Sequence, residues 1–191
     1  MKMHKGEHDE ELGLVNYPSP VWERPQSRYG NNRWVAYSPR LQRRVILYSD
    51  LEYDHWVLVE ATPSIKRFCE QPRRVRVQLP SGSVTTVFDM WILWDTNCQE
   101  YREVKYQHEL LRATPGSRTD RQIQAQKKWC ELCKVGHRVI TDEVIRACPL
   151  FLVNWKSILG HLACTQQIDL RTNIEKFGLG SWITAAVHCR G

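Results

Sequence analysis

Val84-Thr85-Thr86-Val87-Phe88-Asp89-Met90-Trp91-Ile92-Leu93-Trp94 is a run of β-branched, aromatic and aliphatic residues interrupted by one carboxylate, and Glu103-Val104-Lys105 follows shortly after it. Both segments read as β-strands. Side chains alternate across a strand, so Glu103 and Lys105 share one face while Val104 points to the opposite, packed side. Asp89 sits in a run otherwise suited to burial on both faces, where an unpaired charge costs several kcal/mol. It therefore needs a partner, and two readings are open. In one, Asp89 and Lys105 form a structural ion pair. In the other, the carboxylates hold Mg²⁺, a hard cation that prefers oxygen ligands, and Lys105 orients a nucleophile or stabilises developing charge. A bound metal lowers the pKa of a water and offsets charge on a phosphate, so the second reading is the chemistry of phosphodiester hydrolysis.

The rest of the chain sets the frame. Its 191 residues, 42% of them apolar, suffice for one good core and a small appendage. A net charge of +6 favours acidic partners. Between Pro25 and Ser49 there is no acidic residue, but Arg28, Arg33, Arg40, Arg43 and Arg44 interleave with Tyr29, Trp34 and Tyr37. A second acid-free stretch, Gln71 to Phe88, opens with Arg73, Arg74 and Arg76. Arginines among aromatics suit phosphate contact and base stacking, which makes Arg28, Arg33, Arg43, Arg44, Arg73 and Arg74 candidate DNA contacts; a solvated basic surface is the alternative. The 7 cysteines form no small-domain framework and Met1-Lys2-Met3-His4-Lys5 leads into acidic residues rather than an apolar signal core, so a reducing cytoplasm is expected. No apolar run approaches the roughly 20 residues that span a bilayer, and membrane function is not expected.

Along the chain, residues 1–27 are charged and punctuated by Pro18, Pro20 and Pro25, the pattern of a flexible arm. Trp34-Val35-Ala36-Tyr37 and Arg44-Val45-Ile46-Leu47-Tyr48 read as short strands turning at Ser38-Pro39. Ser49-Asp50-Leu51-Glu52 is a capping box that opens a helix ended by Pro63, which gives Glu52 a structural task. Strands are predicted over Arg73 to Leu79 and Val84 to Trp94 around the turn Pro80-Ser81-Gly82-Ser83, and over Glu100 to Tyr106. A helix from about Asp120 to Val135 is expected to end at Gly136 as its cap, before a last strand at Arg138-Val139-Ile140.

The order helix, hairpin, strand, helix, strand is that of an α/β, restriction-endonuclease-like (PD-(D/E)xK) core. Ser49-Asp50-Leu51-Glu52, Glu70-Gln71-Pro72, Phe88-Asp89 and Glu103-Val104-Lys105, in this order, resemble TnsA, the endonuclease subunit of heteromeric, Tn7-like cut-and-paste transposases. Ser27-Arg28-Tyr29-Gly30-Asn31-Asn32-Arg33-Trp34 and Tyr48-Ser49-Asp50-Leu51-Glu52-Tyr53-Asp54 resemble the short forms found beside RNA-guided, CRISPR-associated systems. The resemblance covers about residues 24–158. It implies a catalytic domain over residues 28–149 and a small helical partner-binding tail over residues 150–191. It further implies that Glu52, Asp89, Glu103 and Lys105 are catalytic, with Glu52, Asp89, Glu103 and the Val104 carbonyl on Mg²⁺ and Mn²⁺ able to substitute. The implied activity is cleavage of the non-transferred strand at the 5′ ends of the element, in the bacterial cytoplasm. Implied partners are transposon-end DNA, a DDE-type transposase subunit and an AAA+ ATPase regulator. A solitary restriction or repair nuclease, and a nuclease-fold scaffold bridging transposase and regulator, are the alternatives.

Other features weigh less. Cys130-Glu131-Leu132-Cys133 with His137 imitates a zinc clip but lacks a second pair, so packed cysteines are expected. Gln122, Gln126 and Lys127 fall on the helix after the lysine strand, where related nuclease folds place polar groups that support the site; solvent exposure is the reading expected here. His108, just beyond Lys105, is placed to touch phosphate or is simply a surface histidine. The tail, with helices expected around Ile158-Leu159-Gly160-His161-Leu162 and Asn173-Ile174-Glu175-Lys176-Phe177, either serves partners or only its own core.

Overall fold

Strand formers and helix caps divide the chain as follows: β1 (Trp34–Ser38), β2 (Arg43–Leu47), α1 (Asp50–Ala61), β3 (Ile65–Glu70), β4 (Arg74–Leu79), β5 (Gly82–Val87), β6 (Met90–Trp94), β7 (Gln99–Lys105), α2 (Gln107–Leu111), α3 (Arg118–Cys133), β8 (Gly136–Thr141), α4 (Asp142–Ile145) and α5 (Pro149–Thr165). The structure is a computed structural model, and it describes Tyr17, residues 19–21 and residues 32–165. Most of the expected N-terminal arm, Arg28 and the helix expected around Asn173 to Phe177 lie outside the described residues. Among the described residues no helix is long and apolar enough to cross a membrane. The elements fall into two compact units, the first taking in Lys66–Glu103 and Thr114–Arg138, the second residues 32–65, Val104–Ala113 and residues 139–165.

In the first unit, the β4–β5 hairpin pairs Leu79 with Gly82, whose φ of +112 is open to glycine and strained for any other residue. The strands of the larger sheet are hydrogen-bonded in the order β3-β6-β7-β8, with β6 antiparallel to β7 and Met90 opposite Arg102. The single strand expected over Val84 to Trp94 is two strands that serve different sheets. The break has a physical cause. The buried Phe88 ring packs on Tyr101 and Trp129, and beside it the Asp89 backbone changes partners. Its N–H donates to the Arg102 carbonyl and its carbonyl accepts from the Gln71 N–H, both at 3.1 Å. Asp89 and Met90 thus both face Arg102, as in a β-bulge, which bends a strand and re-aims a side chain. Strand β3 has no counterpart among the expected elements, because exposed Lys66 and Arg67 stand side by side between Ile65 and Phe68 and break the period of two.

The core of this unit gathers Cys69, Val75, Phe88, Trp91, Leu93, Tyr101 and Cys130. Tyr17 closes it: its ring meets Trp91 edge-on at 5.2 Å and its hydroxyl hydrogen-bonds that of Tyr101 at 2.8 Å. The N–H of Val21 donates to the Gln71 carbonyl at 2.9 Å, so this part of the expected arm is packed. Helix α3 begins with Ser117 accepting from the Asp120 N–H. It ends earlier than expected: Lys134, not Gly136, is the left-handed cap, at φ +56. Gly136 instead opens β8, where a Cβ would lie 3.1 Å from the Gln99 carbonyl oxygen, a close strand approach that a hydrogen permits.

In the second unit, α1 has the expected capping box, and Leu51, Val104, Ile140 and Ile145 form a core with Leu58 and Tyr106 packed on it. Asp54, buried on α1, is paired with Arg146 at 2.7 Å and Lys156 at 2.5 Å. Trp34 stacks on Tyr53 at 4.4 Å and donates its indole N–H to Asp50 at 2.7 Å. A bond from Asn32 and this one from Trp34 hold the Asp50 carboxyl below its usual pKa.

A left-handed residue with a Cβ costs about 1–2 kcal/mol, a cost that glycine escapes. Lys134→Gly is therefore expected to raise stability by about 0.5–1 kcal/mol after its greater unfolded-state entropy is allowed for. Urea unfolding of the two proteins checks this, and a loss of stability would contradict the cap assignment.

Candidate active site

Glu103, on β7, is with Glu70 one of two described acids of the first unit that are only 1% exposed. Two glutamines one turn apart on α3 reach its carboxylate. Gln122 Nε2 donates to Oε1 at 2.6 Å and Gln126 Nε2 to Oε2 at 2.5 Å. Residues at i and i+4 lie on one helix face, so a single orientation of α3 delivers both amides. Gln126 is fully buried, and its amide nitrogen also lies 3.2 Å from Thr86 Oγ1 and 3.4 Å from the Val87 carbonyl. Solvent exposure, expected for Gln122 and Gln126, is therefore corrected: they hold Glu103, while Lys127 is exposed as expected. The i, i+4 spacing beside buried Ala125 was the available signal; the polarity of glutamine masked it.

Because Gln126 spends its NH₂ on Glu103, its Oε1 is left to accept, and His137 Nε2 stands 3.3 Å away as the donor. Burial holds the His137 pKa below its usual value, helped by the Lys127 charge and opposed by Glu100.

Asp89 is half-buried at the bulge, its backbone fixed by Arg102 on one side and Gln71 on the other. Asp89 and Glu103 both belong to the first unit; Glu52, Val104 and Lys105 belong to the second. Lys105 is half-buried at the end of β7 and Val104 is 6% exposed. Glu52 fulfils its capping role. Its Oε2 accepts from the Tyr48 N–H and its Oε1 from the Ser49 hydroxyl, while its own N–H donates to Ser49 Oγ, each at 3.1 Å. Among the described residues no group of three or more His, Cys, Asp or Glu side chains is placed to hold a metal ion. Asp89 and Glu103 are oxygen donors on one unit, a set that suits Mg²⁺, which commonly takes one or two carboxylates and keeps several waters.

The basic candidates differ in setting. Arg33 and Arg44 are exposed, and half-buried Arg43 donates to the Arg44 carbonyl at 3.1 Å. Arg73 lies over the Trp129 ring at 5.0 Å and meets the Tyr17 hydroxyl at 3.4 Å, a core-closing role. Arg74 is exposed on β4. Cys130 is buried, which raises its thiol pKa to about 12, and Cys133 is exposed; the packed reading holds for the first.

Replacing Gln126 with Leu leaves the buried Glu103 carboxylate short of a donor, and hydrogen bonds to charged groups contribute about 1.5–3 kcal/mol. A stability loss of that size is expected in urea unfolding, and a change under about 0.5 kcal/mol would show that the clamp bears no weight. His137 gives a pH signature. Its folded pKa is depressed, so the unfolded chain binds more protons below about 6.5, and stability present above that pH is lost as pH falls toward the folded pKa. Unfolding followed across roughly pH 5 to 8 should show this slope in the native protein and a shallower one in His137→Gln.

No curated protein matches the chain. Residues 62–142, which include Asp89, Glu103, Val104, Lys105 and the two clamping glutamines, match the family described as TnsA-like endonuclease N terminal. The similarity to TnsA-like endonucleases thus spans 81 of the 191 residues and includes the strand that carries Glu103 and Lys105.

Proposed function

We propose that the protein is the metal-dependent DNA endonuclease subunit of a transposase, cutting the non-transferred strand at the 5′ ends of the element. The observation that carries this reading is a buried carboxylate, Glu103, gripped by two amides within the segment that matches the TnsA-like endonuclease family. Asp89 and Glu103, both in the first unit, are the groups that would hold Mg²⁺ or Mn²⁺. When bound, the cation would lower the pKa of a water and offset charge on the scissile phosphate. Gln122 and Gln126 hold Glu103 oriented as an acceptor, and Lys105, on the same strand face as Glu103, orients the nucleophile or stabilises developing charge. A DDE-type transposase subunit would cut and join the 3′ ends and an AAA+ ATPase would regulate the assembly in the bacterial cytoplasm. The exposed arginines Arg33 and Arg44 supply affinity without base reading, which leaves end recognition to a partner.

Asp89→Ala and Lys105→Ala should each reduce 5′-end cutting by about a hundredfold or more in a reconstituted transposition reaction, with circular dichroism unchanged. The 3′ cuts should persist, so that the element stays joined to its donor and yields cointegrates. Calorimetry should show Mg²⁺ binding that Asp89→Asn weakens. Full cutting by either folded variant overturns the assignment, and efficient site-specific cutting by the isolated chain would make it a solitary nuclease.

A further inference from the structure

Beside the Glu103 clamp, β5 and the first turns of α3 enclose an open cleft of about 620 Å³. Arg74, Arg118 and Arg121 line it together with the Thr85 and Thr86 hydroxyl residues of β5. None of its lining residues is acidic or aromatic. Three guanidinium groups gathered on one cleft favour an anion as its occupant. Arg121 adds a second observation: its Nε is buried and has no hydrogen-bond partner among the described residues. A buried, unsatisfied donor of a charged group costs about 1–3 kcal/mol or more, and an anionic oxygen is the acceptor that would satisfy it.

The cleft and the clamp share parts. Gln122, which donates to Glu103, lines the cleft, and so does Thr86, which lies within hydrogen-bond reach of Gln126. On α3, Arg118, Gln122 and Gln126 follow at four-residue steps, so one face runs from the basic cleft to the carboxylate. Aromatic rings that would stack a base are absent from the lining, whereas hydroxyls and guanidinium groups, which bind phosphate oxygens, dominate it.

We propose that this β5–α3 cleft seats the sugar–phosphate backbone of a DNA strand next to Glu103, with Arg74, Arg118 and Arg121 on its phosphates. The proposal rests on the nuclease reading and assigns Arg118 and Arg121, which no sequence pattern singled out, to the substrate path.

The test is binding of a labelled DNA duplex by the full chain across a salt series. Removing one phosphate-binding charge lowers the slope of log affinity against log salt by about one. The double variant Arg74→Ala/Arg118→Ala should lower it by about two and weaken binding to all sequences alike, whereas Arg67→Ala, which removes an exposed charge on β3, should leave it near the native value. Arg121→Lys keeps the charge and forgoes the planar fork, so it should weaken binding in a protein that still folds. Native slope and affinity in the double variant overturn the cleft assignment while leaving the nuclease reading intact. Binding of ATP that the double variant abolishes, with DNA binding unchanged, would make the cleft a nucleotide site and overturn it too. If the native chain binds no DNA and Asp89→Ala cuts normally, the underlying reading falls instead.

Discussion

A carboxylate that is 1% exposed must be compensated where it stands, and in this protein the compensation comes from a helix. Glu103 takes one amide from each of Gln122 and Gln126, which sets both the rotation and the axial position of α3 against β7. Other contacts follow from that setting. Trp129 is carried onto Phe88 and Tyr101, and Ala125, having almost no side chain, lets α3 approach Val77 and Leu79 of the hairpin. Arg118 and Arg121 are brought over β5. A polar requirement at one strand position thus orders an apolar core and a basic cleft together.

The same economy of donors governs the second unit. Glu52 uses both carboxylate oxygens to close the N-terminus of α1, yet each oxygen of an ionised carboxylate has two lone pairs. Capping and binding a cation are compatible demands on such a group. Asp54, by contrast, is neutralised by Arg146 and Lys156, which tie α1 to the chain after α4 and to α5. Two acids two positions apart on one helix therefore have different freedom to act.

The elements most visible in the sequence are those that local chemistry decides. Ser49 and Glu52 announce the start of α1, and the Pro80 to Ser83 turn announces the hairpin, because caps and tight turns are satisfied within a few residues. The pair of β6 and β7, which carries Glu103 and begins just after Asp89, is also legible, from the apolar run after one acid and the alternation around the other. What escapes is set by distant residues. The break at Phe88 depends on Tyr101 and Trp129, the left-handed turn falls at Lys134 because Gly136 is needed against Gln99, and the clamp depends on which face of α3 meets β7. A glutamine that serves a buried acid has the same composition signal as one in water, so burial alone tells them apart.

The division of one apolar run between two sheets also bears on how such a protein could change over evolutionary time. Asp89 is anchored by backbone bonds to Arg102 and Gln71, at the open end of the hairpin, and the β4–β5 turn lies at the far end. Lengthening both arms by matched pairs at the turn would preserve the inward and outward alternation of β5 and leave the register of Asp89 untouched. The wall of the basic cleft is therefore free to grow or shorten while the acids keep their places. Variation in the length of that wall and constancy in where its carboxylates sit are separable properties of this chain.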